Sequence, residues 1–136
     1  MNRGIATSLF AAALLLVGAA SVAAKEGVQA RVVTPIPREA APGSRVTVVW
    51  TLSSIDEGRR VPFGASAVFI RLFGPGDART PRAFGAERAP GRFSARPRIP
   101  RGGVKRVVFG LMGTACDANG CRPSPAVFRI AGPVFR

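Results

Sequence analysis

The chain has 136 residues, 47% of them hydrophobic, with 16 glycines and 12 prolines, so it suits one domain of short strands rather than long helices. It has no histidine, which excludes Ser-His and Cys-His nucleophile pairs and histidine metal ligands. Its 20 basic and 7 acidic side chains give a net charge of +13, which attracts phosphate, lipid head groups and acidic polymers. Because a GC-rich genome also encodes excess arginine, the charge alone leaves open whether this surplus is functional.

Residues 1–24 have the three-part pattern of a signal peptide. Arg3 supplies a basic start, residues 9–17 form an uninterrupted apolar run, and residues 22–24 are small. The run is shorter than the roughly 20 residues that span a bilayer, so cleavage after Ala24 is favoured over an uncleaved anchor helix. The sequence therefore predicts a secreted protein, periplasmic or extracellular, with no transmembrane segment after cleavage. Loss of Arg3 leaves 19 basic and 7 acidic side chains, a net charge of +12.

The rest of the chain, residues 25–136, alternates apolar and polar side chains between turns rich in glycine and proline. This pattern predicts an all-β domain, an immunoglobulin-like antiparallel β-sandwich of about seven strands, with a barrel as the alternative. The predicted strands are Val28–Val33, Arg45–Leu52, Ala65–Phe73, Arg82–Arg88, Arg92–Ile99, Val104–Met112 and Ala126–Ile130. The predicted core consists of Val48, Trp50, Val68, Ile70, Phe93, Val107, Phe109 and Phe128.

Three segments resemble small exported Ig-like modules of bacteria, of the YtkA-like and FixH-like type. They read PGSRVTVVWTL at residues 42–52, AVFIRLFGP at 67–75 and GRFSARPRIPRGGVKRVVFGL at 91–111. The resemblance covers about two thirds of residues 25–136, and its motifs belong to the sandwich fold rather than to a site. It implies a non-enzymatic accessory domain. The arginine content and the cysteine segment depart from the pattern of those modules.

The two cysteines, Cys116 and Cys121, flank a segment with strong turn chemistry, Asp117 and Asn119-Gly120. In an exported protein this spacing predicts a disulfide across the end of a hairpin. Two alternatives stay open. One is a redox-active pair, and the other is a Cu(I) site in which Met112 joins the two reduced thiolates, which would make the chain an extracytoplasmic copper-handling protein.

Arginines alternate with core residues in two of the predicted strands. Arg96 and Arg98 lie opposite Ala95 and Ile99, and Arg106 lies opposite Val107, so these guanidinium groups are expected to face solvent. If the two strands belong to neighbouring regions, their arginines form one patch that holds phosphate or carboxylate groups. The predicted anion-binding residues are Arg92, Arg96, Arg98, Arg101 and Arg106.

No set of residues in the sequence indicates catalysis or a cofactor. Asp56 and Glu57 adjoin Arg59 and Arg60, which is typical of a solvated turn rather than an acid-base pair. Nucleic acid is not an expected partner, because tyrosine is absent and the phenylalanines fall on core faces. The predicted function is therefore a non-catalytic exported binding module for a protein or an anionic component of the cell envelope.

We expect the mature protein to begin at Lys25, because Val22 and Ala24 meet the small-residue rule for signal cleavage. Intact mass of protein recovered from a secreting host should show loss of the first 24 residues. Recovery of the full-length chain in a membrane fraction would contradict cleavage and favour the anchor helix.

Overall fold

A computed structural model describes residues 24–136, which form nine strands and no helix, so the predicted all-β class is confirmed. The predicted signal peptide lies outside the described residues except for Ala24, where the first strand begins. Between residues 24 and 136 no helix is long and apolar enough to cross a membrane. The strands are β1 (Ala24–Val32), β2 (Val48–Asp56), β3 (Arg59–Pro62), β4 (Val68–Phe73), β5 (Ala83–Phe84), β6 (Ala86–Ala89), β7 (Arg92–Ala95), β8 (Arg106–Asp117) and β9 (Gly120–Ile130).

The nine strands form a single mixed sheet in the order β5-β4-β8-β9-β1-β2-β7-β6, with β3 paired to β2. Strand β1 is parallel to β9, and the other pairs are antiparallel. The two ends of this order, β5 and β6, are separated in the chain by Gly85 alone. The backbone N–H of Gly85 donates to the carbonyl of Val68 at 2.8 Å. The chain thus stops pairing with β4 before Gly85 and starts pairing with β7 after it. This crossing nearly closes the sheet into a barrel.

The core fills the inside of this nearly closed sheet around Trp50, whose side chain is fully buried. Its indole ring lies 5.9 Å from the ring of Phe93 and 5.1 Å from that of Phe109, measured between centroids. Trp50 and Phe93 are partners in adjacent strands, whereas Phe109 belongs to the other half of the sheet. All eight predicted core residues are buried, which confirms the predicted inward positions in β2, β4, β7, β8 and β9.

Gly85 is required where the chain crosses over Trp50. A Cβ atom added at Gly85 would lie 2.7 Å from the indole Cη2 and 3.3 Å from the Cβ of Phe93. Any larger residue would therefore have to displace the indole or move the crossing strand outwards. The single strand predicted over residues 82–88 is accordingly two strands, which pair with different partners on either side of this glycine.

The structure extends several strands beyond their predicted bounds. The segment predicted as a polar loop is a tight hairpin in which Asp56 pairs with Arg59, and Glu57 and Gly58 turn the chain with φ angles of 46° and 75°. Side chains of β3 are almost all exposed, so backbone hydrogen bonding rather than burial holds this strand, and no apolar alternation marks it in the sequence.

Strands β8 and β9 continue as a two-stranded arm beyond the rest of the sheet. The ladder of β8 with β4 ends at Leu111, beyond which the N–H of Met112 still donates to the carbonyl of Ala67, and the ladder of β9 with β1 begins at Val127. Residues 113–117 and 120–124 therefore pair with one another alone. A two-stranded hairpin is marginally stable in water, so this arm depends on its turn and its disulfide.

Replacing Gly85 with alanine should lower the free energy of unfolding by about 1–3 kcal/mol, because the added methyl group overpacks the indole of Trp50. Gly113 is the matched control, since its added Cβ meets neighbours at 3.5 Å or more and should change stability by about 0.5 kcal/mol or less. Urea unfolding of both variants measures the difference. Equal effects of the two substitutions would show that the crossing does not depend on glycine.

Candidate anion-binding surface

The structure does not bring all the predicted anion-binding arginines together. Arg92 begins β7 opposite Thr51, whereas Arg98 is bridged to Arg45, so about 20 Å of extended chain separates Arg92 from Arg98. In addition, β7 and β8 are not neighbours, because β9, β1 and β2 lie between them in the sheet. All five predicted residues are exposed, as their alternation with core residues predicts: Arg92, Arg96, Arg98, Arg101 and Arg106.

Two of the predicted arginines, Arg98 and Arg101, line one groove together with Arg79. The groove has a volume of about 400 Å³, and we call it the proline groove. One terminal nitrogen of Arg98 donates to the carbonyl of Gly43 at 3.3 Å, which ties this side chain to the groove wall. The remaining lining residues are Pro42, Gly43, Thr80, Pro81, Ile99 and Pro100.

A second groove, of about 480 Å³, lies at the start of β8 and is called here the Phe73 groove. It is lined by Phe73, Gly76, Asp77, Arg79 and Arg106. The guanidinium carbon of Arg106 lies 3.9 Å from the centroid of the Phe73 ring. This distance is that of a stacked cation–π pair, which fixes the guanidinium plane and leaves its N–H edges open to other acceptors. Arg79 lines both grooves and connects them.

Arg71 of β4 lies beside the Phe73 groove, with its guanidinium carbon 5.6 Å from the same phenylalanine ring. Its Nε donates to the carbonyl of Thr80 at 2.9 Å. Partial burial lowers the pKa of Arg71 from its ordinary value, and the positive charges of Arg82 and Arg79 lower it further. The guanidinium group of Arg71 is thus repelled by those of Arg82 and Arg79.

No carboxylate in the described chain forms an ion pair with these arginines. The single ion pair within residues 24–136 joins Arg122 and Asp117 on the hairpin arm. Arg82 stacks on Phe69 with its guanidinium carbon 5.2 Å from the ring centroid, and its Nε is buried without a hydrogen-bond partner. Apart from Asp77, which lines the Phe73 groove without forming an ion pair, the positive charge around the two grooves is therefore left to be balanced by solvent ions or by a bound anion.

Arg71, Arg79 and Arg82 are not among the residues that the sequence predicted. Arg71 interrupts a strand that is otherwise apolar on both faces, and this is the one local sign of its role. Arg79 follows a turn whose chemistry predicts a loop but not its position. The turn packs against a distant segment, because a Cβ added at Gly74 would lie 2.7 Å from the carbonyl oxygen of Arg101. That long-range contact joins the two grooves and has no signature in the sequence.

The cysteines lie at the end of the hairpin arm, where Cys116 and Cys121 are cross-strand partners joined by a disulfide. The turn beyond them is held by Asp117, whose Oδ1 accepts from the N–H of Asn119 at 2.9 Å and whose Oδ2 accepts from Arg122 at 2.5 Å. The bond from Arg122, followed by that from Asn119, keeps the pKa of Asp117 below its ordinary value. The predicted hairpin with facing cysteines is present.

The copper alternative needs Met112 and two reduced thiolates at one point. Met112 lies on the same strand as Cys116 but four residues before it, which is about 13 Å along an extended chain. It pairs across the arm with Pro125, and the two sulfur atoms of the cysteines are bonded to each other. Among the residues that the structure describes, no group of three His, Cys, Asp or Glu side chains is arranged to hold a metal ion.

A comparison with models of known protein families, with curated proteins and with solved structures finds no match for the chain. The interpretation of the surface therefore rests on its own geometry and charge.

Replacing both cysteines with serine should lower the global free energy of unfolding by about 2 kcal/mol or less, since the disulfide closes a very short loop. The larger effect should be local, because residues 113–117 and 120–124 pair only with one another. Hydrogen exchange should accelerate at Gly113 and Ala115, whose N–H groups point across the arm to β9, while the amides of β2 keep their protection. A loss of protection throughout β2 would show that the disulfide supports the core rather than the arm.

Proposed function

We propose that the chain is an exported, non-catalytic Ig-like domain that binds a phosphate-bearing anionic component of the cell envelope through its two arginine-lined grooves. Export is supported by the signal-peptide pattern of residues 1–24 and by the disulfide, since disulfides persist in oxidising compartments. Absence of histidine from the whole sequence supports a binding role rather than catalysis.

The Ig-like part of the proposal is supported by the strand order. By their order along the chain, the strands of one half of the sheet, β1-β2-β7-β6, correspond to strands A, B, E and D of an immunoglobulin domain. Those of the other half, β5-β4-β8-β9, correspond to C′, C, F and G. The rings of Trp50 and Phe109 meet between these halves at 5.1 Å. In this proposal β1 joins the two layers of a sandwich by pairing with both β2 and β9.

The observation that carries the binding function is the concentration of unpaired arginines around two connected grooves. Exposed like charges destabilise a folded protein by mutual repulsion, and they raise the association rate of an oppositely charged partner. Arginine forms bidentate hydrogen bonds with phosphate and carboxylate, so a groove lined by several arginines favours an anionic partner over a neutral one. A protein partner with an acidic surface is the other outcome of the test below.

Replacing Arg98 and Arg101 of the proline groove, together with their exposed neighbour Arg96, with serine should weaken binding to a phosphate-bearing partner by roughly 100-fold at low salt, at about 1 kcal/mol for each arginine near an anionic surface. Binding is measured in two arms that distinguish the sources of phosphate. One uses vesicles with phosphatidylglycerol against vesicles of phosphatidylcholine alone, and the other uses soluble polyphosphate.

The matched control replaces Arg59, Arg88 and Arg129 with serine, which removes the same charge from exposed positions away from the grooves. The proposal expects the control to bind nearly as well as the parent, and binding of the parent to fall steeply with added salt. If both triple variants lose the same amount of binding affinity, the effect comes from net charge and not from the grooves. Absence of binding in both arms would contradict an anionic envelope partner and favour an acidic protein.

A further inference from the structure

We infer that the Phe73 groove is a specific site for one phosphate group, held by Arg71, Arg79 and Arg106 over the ring of Phe73. The inference rests on the proposed function. It places the main contact with the phosphate at three arginines, of which only Arg106 belongs to the predicted anion-binding residues. Two of the three arginines line the groove itself, and Arg71 adjoins it through the shared phenylalanine ring.

The side chains of Arg106 and Arg71 are each held by one contact, and their terminal nitrogens have no acceptor among the described residues. Arg106 is stacked on Phe73 at 3.9 Å, and Arg71 is fixed through its Nε by the Thr80 carbonyl at 2.9 Å, so the terminal nitrogens of both remain available. Arg79 directly follows the turn that forms one wall, where the N–H of Gly74 donates to the carbonyl of Ala78 at 2.7 Å. Fixed donors lose little conformational entropy on binding.

The number of converging guanidinium groups favours phosphate over carboxylate. A phosphate monoester presents three terminal oxygens and a charge between −1 and −2 at neutral pH, so each arginine can take one oxygen edge. A carboxylate presents two oxygens and one charge, so it offers three guanidinium groups fewer acceptor sites and less negative charge than a phosphate does. Burial, followed by the positive charges of Arg82 and Arg79, lowers the pKa of Arg71, and a ligand with a larger negative charge offsets more of that repulsion.

Asp77 lines the same groove, and its negative charge should oppose phosphate binding, in contrast to the charge of the arginines. Its carboxylate is exposed, and it repels a bound phosphate without forming an ion pair with Arg79 or Arg106 in the described chain. Removing this charge should therefore strengthen phosphate binding, whereas removing an arginine should weaken it.

The experiment is a titration of the mature protein, residues 25–136, with inorganic phosphate at constant ionic strength held by chloride, followed by nuclear magnetic resonance. Saturable shifts are expected at the backbone amides of Gly76, Asp77 and Arg79. The Arg79→Ser substitution should weaken phosphate binding about tenfold, as expected for the loss of one charge-assisted hydrogen bond. Arg88→Ser, which removes an exposed arginine outside both grooves, should leave it unchanged within about twofold.

Two further variants separate the site from general charge effects. Asp77→Asn should strengthen phosphate binding roughly threefold, whereas Asp56→Asn, with the same change in net charge on the β2–β3 hairpin, should have no effect. Shifts that are linear in phosphate, or equal effects of the two aspartate variants, would overturn the inference. If vesicle or polyphosphate binding still depends on Arg96, Arg98 and Arg101 in that case, the proposed function stands and the Phe73 groove is not its site.

Discussion

The packing of Trp50 against the backbone at Gly85 is the contact on which the rest of the structure depends. The indole occupies the centre of the core and lies against aromatic rings from both halves of the sheet. The chain crosses between β4 and β7 directly over this ring, and it comes close enough because residue 85 has no side chain. Without that crossing, β5 and β6 would leave two open sheet edges, which pair readily with other chains.

The same closure positions the charged groove region. The crossing at Gly85 follows the segment 79–82, so the arginines of that segment are fixed against β4 by the pairing of Ala83 with Ile70. From the other side, the turn after β4 packs on the backbone of Arg101. The guanidinium groups are thereby held near one another although they repel. The core must offset this repulsion, and it can do so because burial of each large apolar side chain contributes about 1.5–3 kcal/mol.

The sequence predicted the elements whose signal is local. Alternation predicted the buried faces of β2, β7 and β8, an apolar run predicted the central strand β4, and turn chemistry predicted the hairpin with Cys116 and Cys121. It did not predict β3, which is exposed and held by backbone hydrogen bonds, or the break in the strand over residues 82–88, which is set by a contact with Trp50. The grooves were missed for the same reason, because Arg79 comes near Arg101 and Arg106 only through the packing of distant turns.

We propose that Arg79 serves ligand binding and that its repulsion of Arg71 weakens the unliganded fold. The most direct test is the free energy of unfolding of the Arg79→Gln variant at low and high salt, with no phosphate present. We predict that the variant is more stable than the parent at low salt, and that the difference disappears near 1 M salt, where the screening length is about 3 Å. A variant that is less stable than the parent at both salt concentrations would show that Arg79 supports the fold and would contradict this account.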